Sequence, residues 1–410
     1  MYPAKEWFDY LQSNTCILST IFINSLEIFF VISGFLLTDS ILTNKDNDET
    51  NYFTFILKRS FRYYPGLILM FLYMYVFGDL EQSYPHNLKS TVSNYLVHLL
   101  FLLNYTNLDH WFYTLHVHWS NCLDFHVYVV LSLILRQLWI KYKLTLNQIM
   151  RILIGVLLLS VAICYYCFDS SIEVVKMGVQ VHPLDHITFE TSKALFDTYN
   201  LPLPQNDSHS IDHERLSNFM KFYLASHMRF GSFITGSILA VKLLINKKEN
   251  FVNGNRIKKY LYWALSLCLC IMLFSTRPSM DLPRPPIVLI CSVRQLLSVA
   301  IAYSLYTTLV DEKSVYYNGY LNQFLSSKFF KPFSKLSYLV YLIHWRLAFD
   351  LVGRTPLKKL INYHVDTAAL ICFPLVLIIS EAVACCWYCL IEQPFIRLTN
   401  AVLITSKKNK

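Results

Sequence analysis

Charge is what this sequence has least of. Only 15% of its 410 residues are Asp, Glu, Lys or Arg, against about 25% in an ordinary soluble protein. Hydrophobic residues make up 54%. They gather in blocks of roughly 17–25, the length that crosses a bilayer as a helix, so an integral membrane protein is expected. No ten-residue alternation of apolar and polar residues occurs. That argues against a β-barrel and leaves an all-α polytopic bundle. Internal repeats and low-complexity tracts are absent as well. So is an apolar core between Met1 and Cys16, and a cleavable signal peptide is not expected. The CxxC at Cys164 and Cys167 lies within an apolar block and is a weak metal signal. Most of the cysteines lie inside apolar blocks, where a thiol packs as a small hydrophobe, and no metal site is expected.

What is present is a series of apolar spans, at about 17–38, 61–79, 120–140, 148–168, 222–246, 259–276, 285–308, 336–352 and 366–391. A further apolar run at 92–103 is too short to cross and is expected to be re-entrant or interfacial. The net charge of +9 is carried largely by short loops between the spans, which is the positive-inside pattern and not a nucleic-acid surface. Lys58, Arg59, Lys141, Lys143, Lys247, Lys248, Arg256, Lys258, Lys313, Lys328, Lys331, Lys335 and the tail all fall on one side if 92–103 does not cross. That side is then the cytosol. Arg354, Lys358 and Lys359 are the exceptions. The polar loop 169–221 is placed outside or in the lumen. It carries Asn206-Asp207-Ser208, an N-glycosylation acceptor pattern. The basic tail 399–410 ends in Lys407-Lys408-Asn409-Lys410. It resembles a dilysine retrieval signal and points to the endoplasmic reticulum, with the plasma membrane as the alternative.

Ionisable residues inside apolar spans mark function by default. Glu27 stands in Glu-Ile-Phe-Phe-Val-Ile-Ser-Gly-Phe-Leu, one carboxylate ahead of the Ser33-Gly34 pair. In lipid it must be paired, protonated or interfacial. Arg59 and Arg62 precede Pro65 and share a helix face. They read either as topology anchors or as a grip for a cytosolic phosphate donor. In the stretch 116–128, His116, Ser120, Asp124 and Tyr128 recur every four residues, and His118, Cys122 and His126 form a neighbouring stripe. Interhelical hydrogen bonding would account for such stripes equally well. Arg229 precedes Gly231 and Gly236, a pair suited to close helix approach. His344 lies mid-span after Leu336-Ser337-Tyr338, and Glu392-Gln393-Pro394-Phe395 closes the last span.

Taken in chain order, these runs resemble the acyltransferase-3 family of multi-pass membrane O-acyltransferases. The resemblance extends over residues 24–398. It implies a single membrane domain, 1–398, that transfers an acyl group from acyl-CoA, as co-substrate and not as a bound cofactor. The acceptor would be a hydroxyl on the lumenal or extracellular side, of a carbohydrate, lipid or small molecule. On the matching positions it implies His116, His118, Asp124 and His344 as catalytic candidates, and Arg59, Arg62, Trp119, Tyr128 and Arg229 as donor-binding residues. Glu27, Ser33, Gly34, Ser120, His126 and Glu392 would shape the cavity. Three departures stand out. Glu27 replaces the usual Asp, and His126 replaces a Gln. The family's first helix carries a catalytic His, and the residues before Glu27 contain none. Weak or absent activity is therefore expected of the chain as written. A degenerate member that binds lipid or a small molecule, or assists transport, is the alternative. A solute transporter outside the family would explain the polar groups but not the ordered motifs.

Overall fold

A computed structural model describes residues 14–43, 52–77, 95–105, 116–167, 225–249, 259–260, 262–264, 287–354 and 365–398. Every regular element among them is helical. Long helices occupy each predicted span that falls within the described residues: α1 (Asn14–Thr43), α2 (Tyr52–Phe77), α3 (Trp119–Arg136), α4 (Leu146–Cys167), α6 (Gly231–Glu249), α7 (Ile287–Leu309), α9 (Phe330–Arg354) and α10 (Val365–Trp387). Two short helices, α5 (Ser226–Arg229) and α8 (Gly319–Leu325), join them. The predicted span 259–276 lies mostly outside the described residues, as do the loop 169–221 with Asn206 and the tail with Lys407 and Lys408. Four segments are long and apolar enough to cross a membrane: Leu26–Thr43, Trp119–Lys141, Leu146–Cys167 and Phe373–Leu398. Leu158, Ile378 and Leu390 on these segments are largely exposed, as side chains solvated by lipid would be.

Local chemistry sets the helix ends. Thr145 and Gln148 form a capping box at the start of α4. The Thr145 N–H donates to Gln148 Oε1 at 2.8 Å, and the Gln148 N–H donates to Thr145 Oγ1 at 3.4 Å. Two helices end in a π-helical turn, at Gln137–Lys141 after α3 and at Tyr388–Glu392 after α10. Pro65 sits inside α2 and cannot donate to the preceding turn. Its own carbonyl accepts from Trp387 Nε1 at 3.1 Å.

The run 92–103 does not form a continuous helix. A helical turn at 95–99 stops in a Schellman motif: Leu102 N–H donates to the Val97 carbonyl at 2.9 Å, and Phe101 N–H to that of His98 at 3.2 Å. Phe101 takes the left-handed position, φ 58°, which usually falls to glycine. Packing offsets that strain. The Phe101 ring stacks on Phe125 at 4.2 Å and meets the edge of Tyr63 at 5.6 Å.

The contacts gather into two compact units. The first comprises Met1–Trp7, Thr50–Phe125 and Ser326–Lys410; the second comprises Phe8–Glu49 and His126–Leu325. Helix α3 gives its first turns to the first unit and the remainder to the second. In the first unit α9 packs on α10 and α2. Its core holds Leu69, Met70, Leu336, Leu339, Leu342, Ile343, Leu347 and Ala384. In the second unit α6 is central and packs on α1, α4 and α7. Gly34 and Gly236 permit the α1–α6 crossing. A Cβ on Gly34 would overlap the Phe233 carbonyl, and one on Gly236 would overlap that of Val31.

Candidate functional site

The candidate residues assemble into two buried charge clusters, one in each unit. The first centres on Asp124, which is fully buried in α3. Arg59 Nη2 lies 2.6 Å from Asp124 Oδ2, and the Tyr63 hydroxyl makes a short hydrogen bond to the same oxygen. Arg59 and Tyr63 lie four residues apart on α2, so one helix face presents both donors. The guanidinium also sits 5.4 Å from the Tyr63 ring centroid. Two donors, one of them cationic, thus meet the same carboxylate oxygen. The Tyr63 backbone is held in turn, because the Tyr338 hydroxyl donates to the Tyr63 carbonyl at 2.9 Å.

His118 lies next to this cluster in the chain and is also fully buried. Its Nε2 is 3.2 Å from the His98 carbonyl. A carbonyl only accepts, so Nε2 carries the proton and Nδ1 is left to accept from Asn121 Nδ2 at 3.4 Å. Burial pulls this imidazole down to about 4, with the hydrogen bond to His98 opposing. His118 is thus a neutral ring with both nitrogens engaged. His116 opens the same 3₁₀ turn, and its side chain lies outside the described residues. Trp119 begins α3 and is buried. The Ser120 hydroxyl donates to Tyr341 at 2.8 Å, and the Tyr341 hydroxyl donates to the Val117 carbonyl at 3.0 Å.

His344 differs from His118. Its Nδ1 donates to the Tyr341 carbonyl at 2.6 Å, with Val340 a longer acceptor at 3.1 Å. That fixes the tautomer in which Nε2 bears the lone pair, the form that suits a base. Arg62 is exposed, whereas the Arg59 side chain retains 20% exposure in its ion pair. Glu392 is buried in the π-helical turn. Arg62 lies close enough to act on it electrostatically.

The second cluster centres on Glu27. Arg229 Nη2 is 3.1 Å from Glu27 Oε1, and both side chains are 3% exposed. The Ser232 hydroxyl makes a short hydrogen bond to Glu27 Oε2. Ser298 extends the chain by donating to Ser232 Oγ at 2.8 Å. The Arg229 guanidinium also lies over the Phe30 ring at 5.6 Å, and Phe30 stacks on Phe233 at 4.8 Å. Gly34 lies at the α1–α6 crossing, and Ser33 beside it is half-buried. Of the remaining candidates, His126 Nδ1 meets Ser226 Oγ at 2.8 Å, and Tyr128 is half-buried on α3.

The catalytic, donor-binding and cavity candidates read from the sequence include Glu27, Ser33, Trp119, Asp124 and Tyr128. Those residues divide between the units, with Trp119 and Asp124 in the first and Glu27, Ser33 and Tyr128 in the second. Three participants are absent from the sequence-based set. Tyr63 had a signal, being four residues after Arg59 on the same helix face. Ser232 and Ser298 had none, because small polar residues on apolar helices are commonplace. Among the described residues no group of three His, Cys, Asp or Glu side chains is placed to hold a metal. Comparison with protein-family models, with curated proteins and with solved structures gives no match.

Proposed function

We propose that this chain is a membrane-embedded O-acyltransferase, taking its acyl group from acyl-CoA and passing it to a hydroxyl of a lumenal or extracellular acceptor. In this reading the other long helices and the span 259–276 cross the membrane as well, giving nine spans. The observation that carries the proposal is the convergence of motif residues distant in sequence onto buried carboxylates: Arg59 and Tyr63 onto Asp124, and Arg229 and Ser232 onto Glu27. The resemblance rests on four of these residues, Glu27, Arg59, Asp124 and Arg229, and buried ion pairs inside an apolar bundle are costly to keep without a use.

In this reading the residues divide the roles. Asp124 is spent on Arg59 and Tyr63, so it positions α2 and does not take a proton. Arg59 is its counterion, which leaves exposed Arg62 to meet the donor's phosphates. His344 supplies the base. The acceptor oxygen attacks the thioester carbonyl, the new C–O bond forms as the C–S bond breaks, and the hydroxyl proton passes to His344 Nε2. From there it moves to the departing CoA thiolate.

Release of CoA thiol by the purified chain in lipid nanodiscs, with acetyl-CoA as donor and a panel of sugars and lipid alcohols as acceptors, tests the reaction. Weak acceptor-dependent release, abolished by His344→Gln, is the expected result. The second reading, a non-enzymatic member that binds lipid or a small molecule, is favoured by the engagement of both His118 nitrogens and by the two neutralised ion pairs. It requires ligand binding with no release under any acceptor.

A further inference from the structure

The start of α9 carries a surface that the proposed reaction does not use. Phe329 is 66% exposed and Phe333 is 37% exposed. Their rings lie 5.1 Å apart, and Phe330 meets Phe329 at 5.4 Å. Lys328, Lys331 and Lys335 are exposed as well, and they follow the i, i+3, i+7 spacing of one helix face. Phe329 and Phe333, at i and i+4, form the adjoining stripe. No acidic residue occurs from Lys313 to Phe349, so the patch has a single sign of charge over a long stretch of chain.

The backbone holds this surface in place before anything binds. Ser327 Oγ accepts from the Phe329 N–H at 3.3 Å. The Ser327 carbonyl accepts from Phe330 at 3.2 Å, and that of Lys328 from Lys331 at 3.3 Å. Nothing local rewards the basic residues, since the first turn of α9 contains no acid and cations are disfavoured at a helix N-terminus. Exposed phenylalanines beside lysines on a structured turn suit one environment, the boundary between acyl chains and anionic headgroups. The lysines belong to the loop whose positive charge places it in the cytosol.

We infer that residues 328–335 dock into the cytosolic leaflet and select anionic lipid, the phenylalanines entering the acyl boundary while the three lysines bind headgroup phosphates or carboxylates. The partner is a lipid surface, and the inference stands whether or not the chain transfers acyl groups.

The full chain is reconstituted in phosphatidylcholine bilayers containing phosphatidylserine, with bromines on the acyl chains of one lipid or the other. The readout is quenching of the additional emission of Phe329→Trp over the unsubstituted chain. Brominated phosphatidylserine quenches it severalfold more than brominated phosphatidylcholine at equal mole fraction. Lys328→Gln, Lys331→Gln and Lys335→Gln combined in that background remove the preference and leave the quenching by phosphatidylcholine. Phe333→Trp gives the same pattern and guards against a local effect of the first probe. Equal quenching by the two lipids before the lysines are changed overturns the selectivity. Absence of quenching by either lipid overturns the docking itself.

Discussion

Removing one partner of the Glu27–Arg229 pair should damage the fold far more than removing both. Each side chain is 3% exposed and the charged atoms are 3.1 Å apart, so neither ion has water to fall back on. Arg229→Met leaves the Glu27 carboxylate with the Ser232 hydroxyl and no counterion. Glu27→Gln leaves a buried guanidinium. Breaking a buried pair from one side costs about 3–5 kcal/mol, while replacing both members with neutral groups of similar volume is often close to neutral. A residual loss is expected in the double variant, because Arg229 also covers the Phe30 ring and such a contact is worth about 0.5–2 kcal/mol. The double variant should therefore be more stable than either single one, with the two single losses together exceeding the double loss by about 4 kcal/mol or more. The assay is the unfolding midpoint in mixed detergent micelles for all four proteins. Additive losses, with the double variant the least stable, would refute the claim that the two charges neutralise each other.

Further outcomes follow from single sites. Gly34→Ala and Gly236→Ala should each destabilise by several kcal/mol, since the added Cβ meets backbone that cannot turn aside. Gly155→Ala has nothing within 4 Å and should stabilise by up to about 1 kcal/mol, so equal losses at all three would contradict the crossing geometry. Tyr63→Phe removes one donor to Asp124 and should cost about 1–3 kcal/mol, read as a lowered melting temperature. Arg59→Ala, which strips the counterion, should lower it more. His118 holds its proton to about 4 in the fold, against 6.5 ordinarily. Between those values the unfolded chain binds more protons, so stability from this group is complete above pH 6.5. It falls as the pH drops toward 4, by on the order of 3 kcal/mol. A stability profile flat from pH 4 to 7 would remove the argument that His118 is buried and neutral.

The helices were legible because apolar blocks of spanning length have few alternative conformations, and α1, α3, α4 and α10 follow them closely. The shortness of the run 92–103 was legible in the sequence, but the turn that ends its helix was not. A Schellman turn with phenylalanine in the glycine position depends on packing against Phe125 and Tyr63, which no local pattern reveals. Pairings were the least accessible. Glu27 and Ser232 are 205 positions apart, and nothing in either neighbourhood names the other. The four-residue stripe through Ser120 and Asp124 gives residue types and spacing alone. It could not tell that Ser120 would meet Tyr341 and Asp124 would meet Arg59. His118 looked like a catalytic candidate because sequence gives the residue type and withholds the His98 carbonyl that fixes its tautomer.

The division of labour between the two arginines on α2 is the part of the account most open to a direct test. Equilibrium binding of acetyl-CoA to the full chain in nanodiscs, compared among the parent, Arg62→Ala and Arg62→Lys, is that measurement. The account predicts saturable binding weakened about tenfold or more by Arg62→Ala and partly restored by Arg62→Lys, at an unchanged melting temperature. Binding that is indifferent to Arg62, or no saturable binding at all, would contradict a donor site at the exposed arginine and with it the acyl-transfer reading.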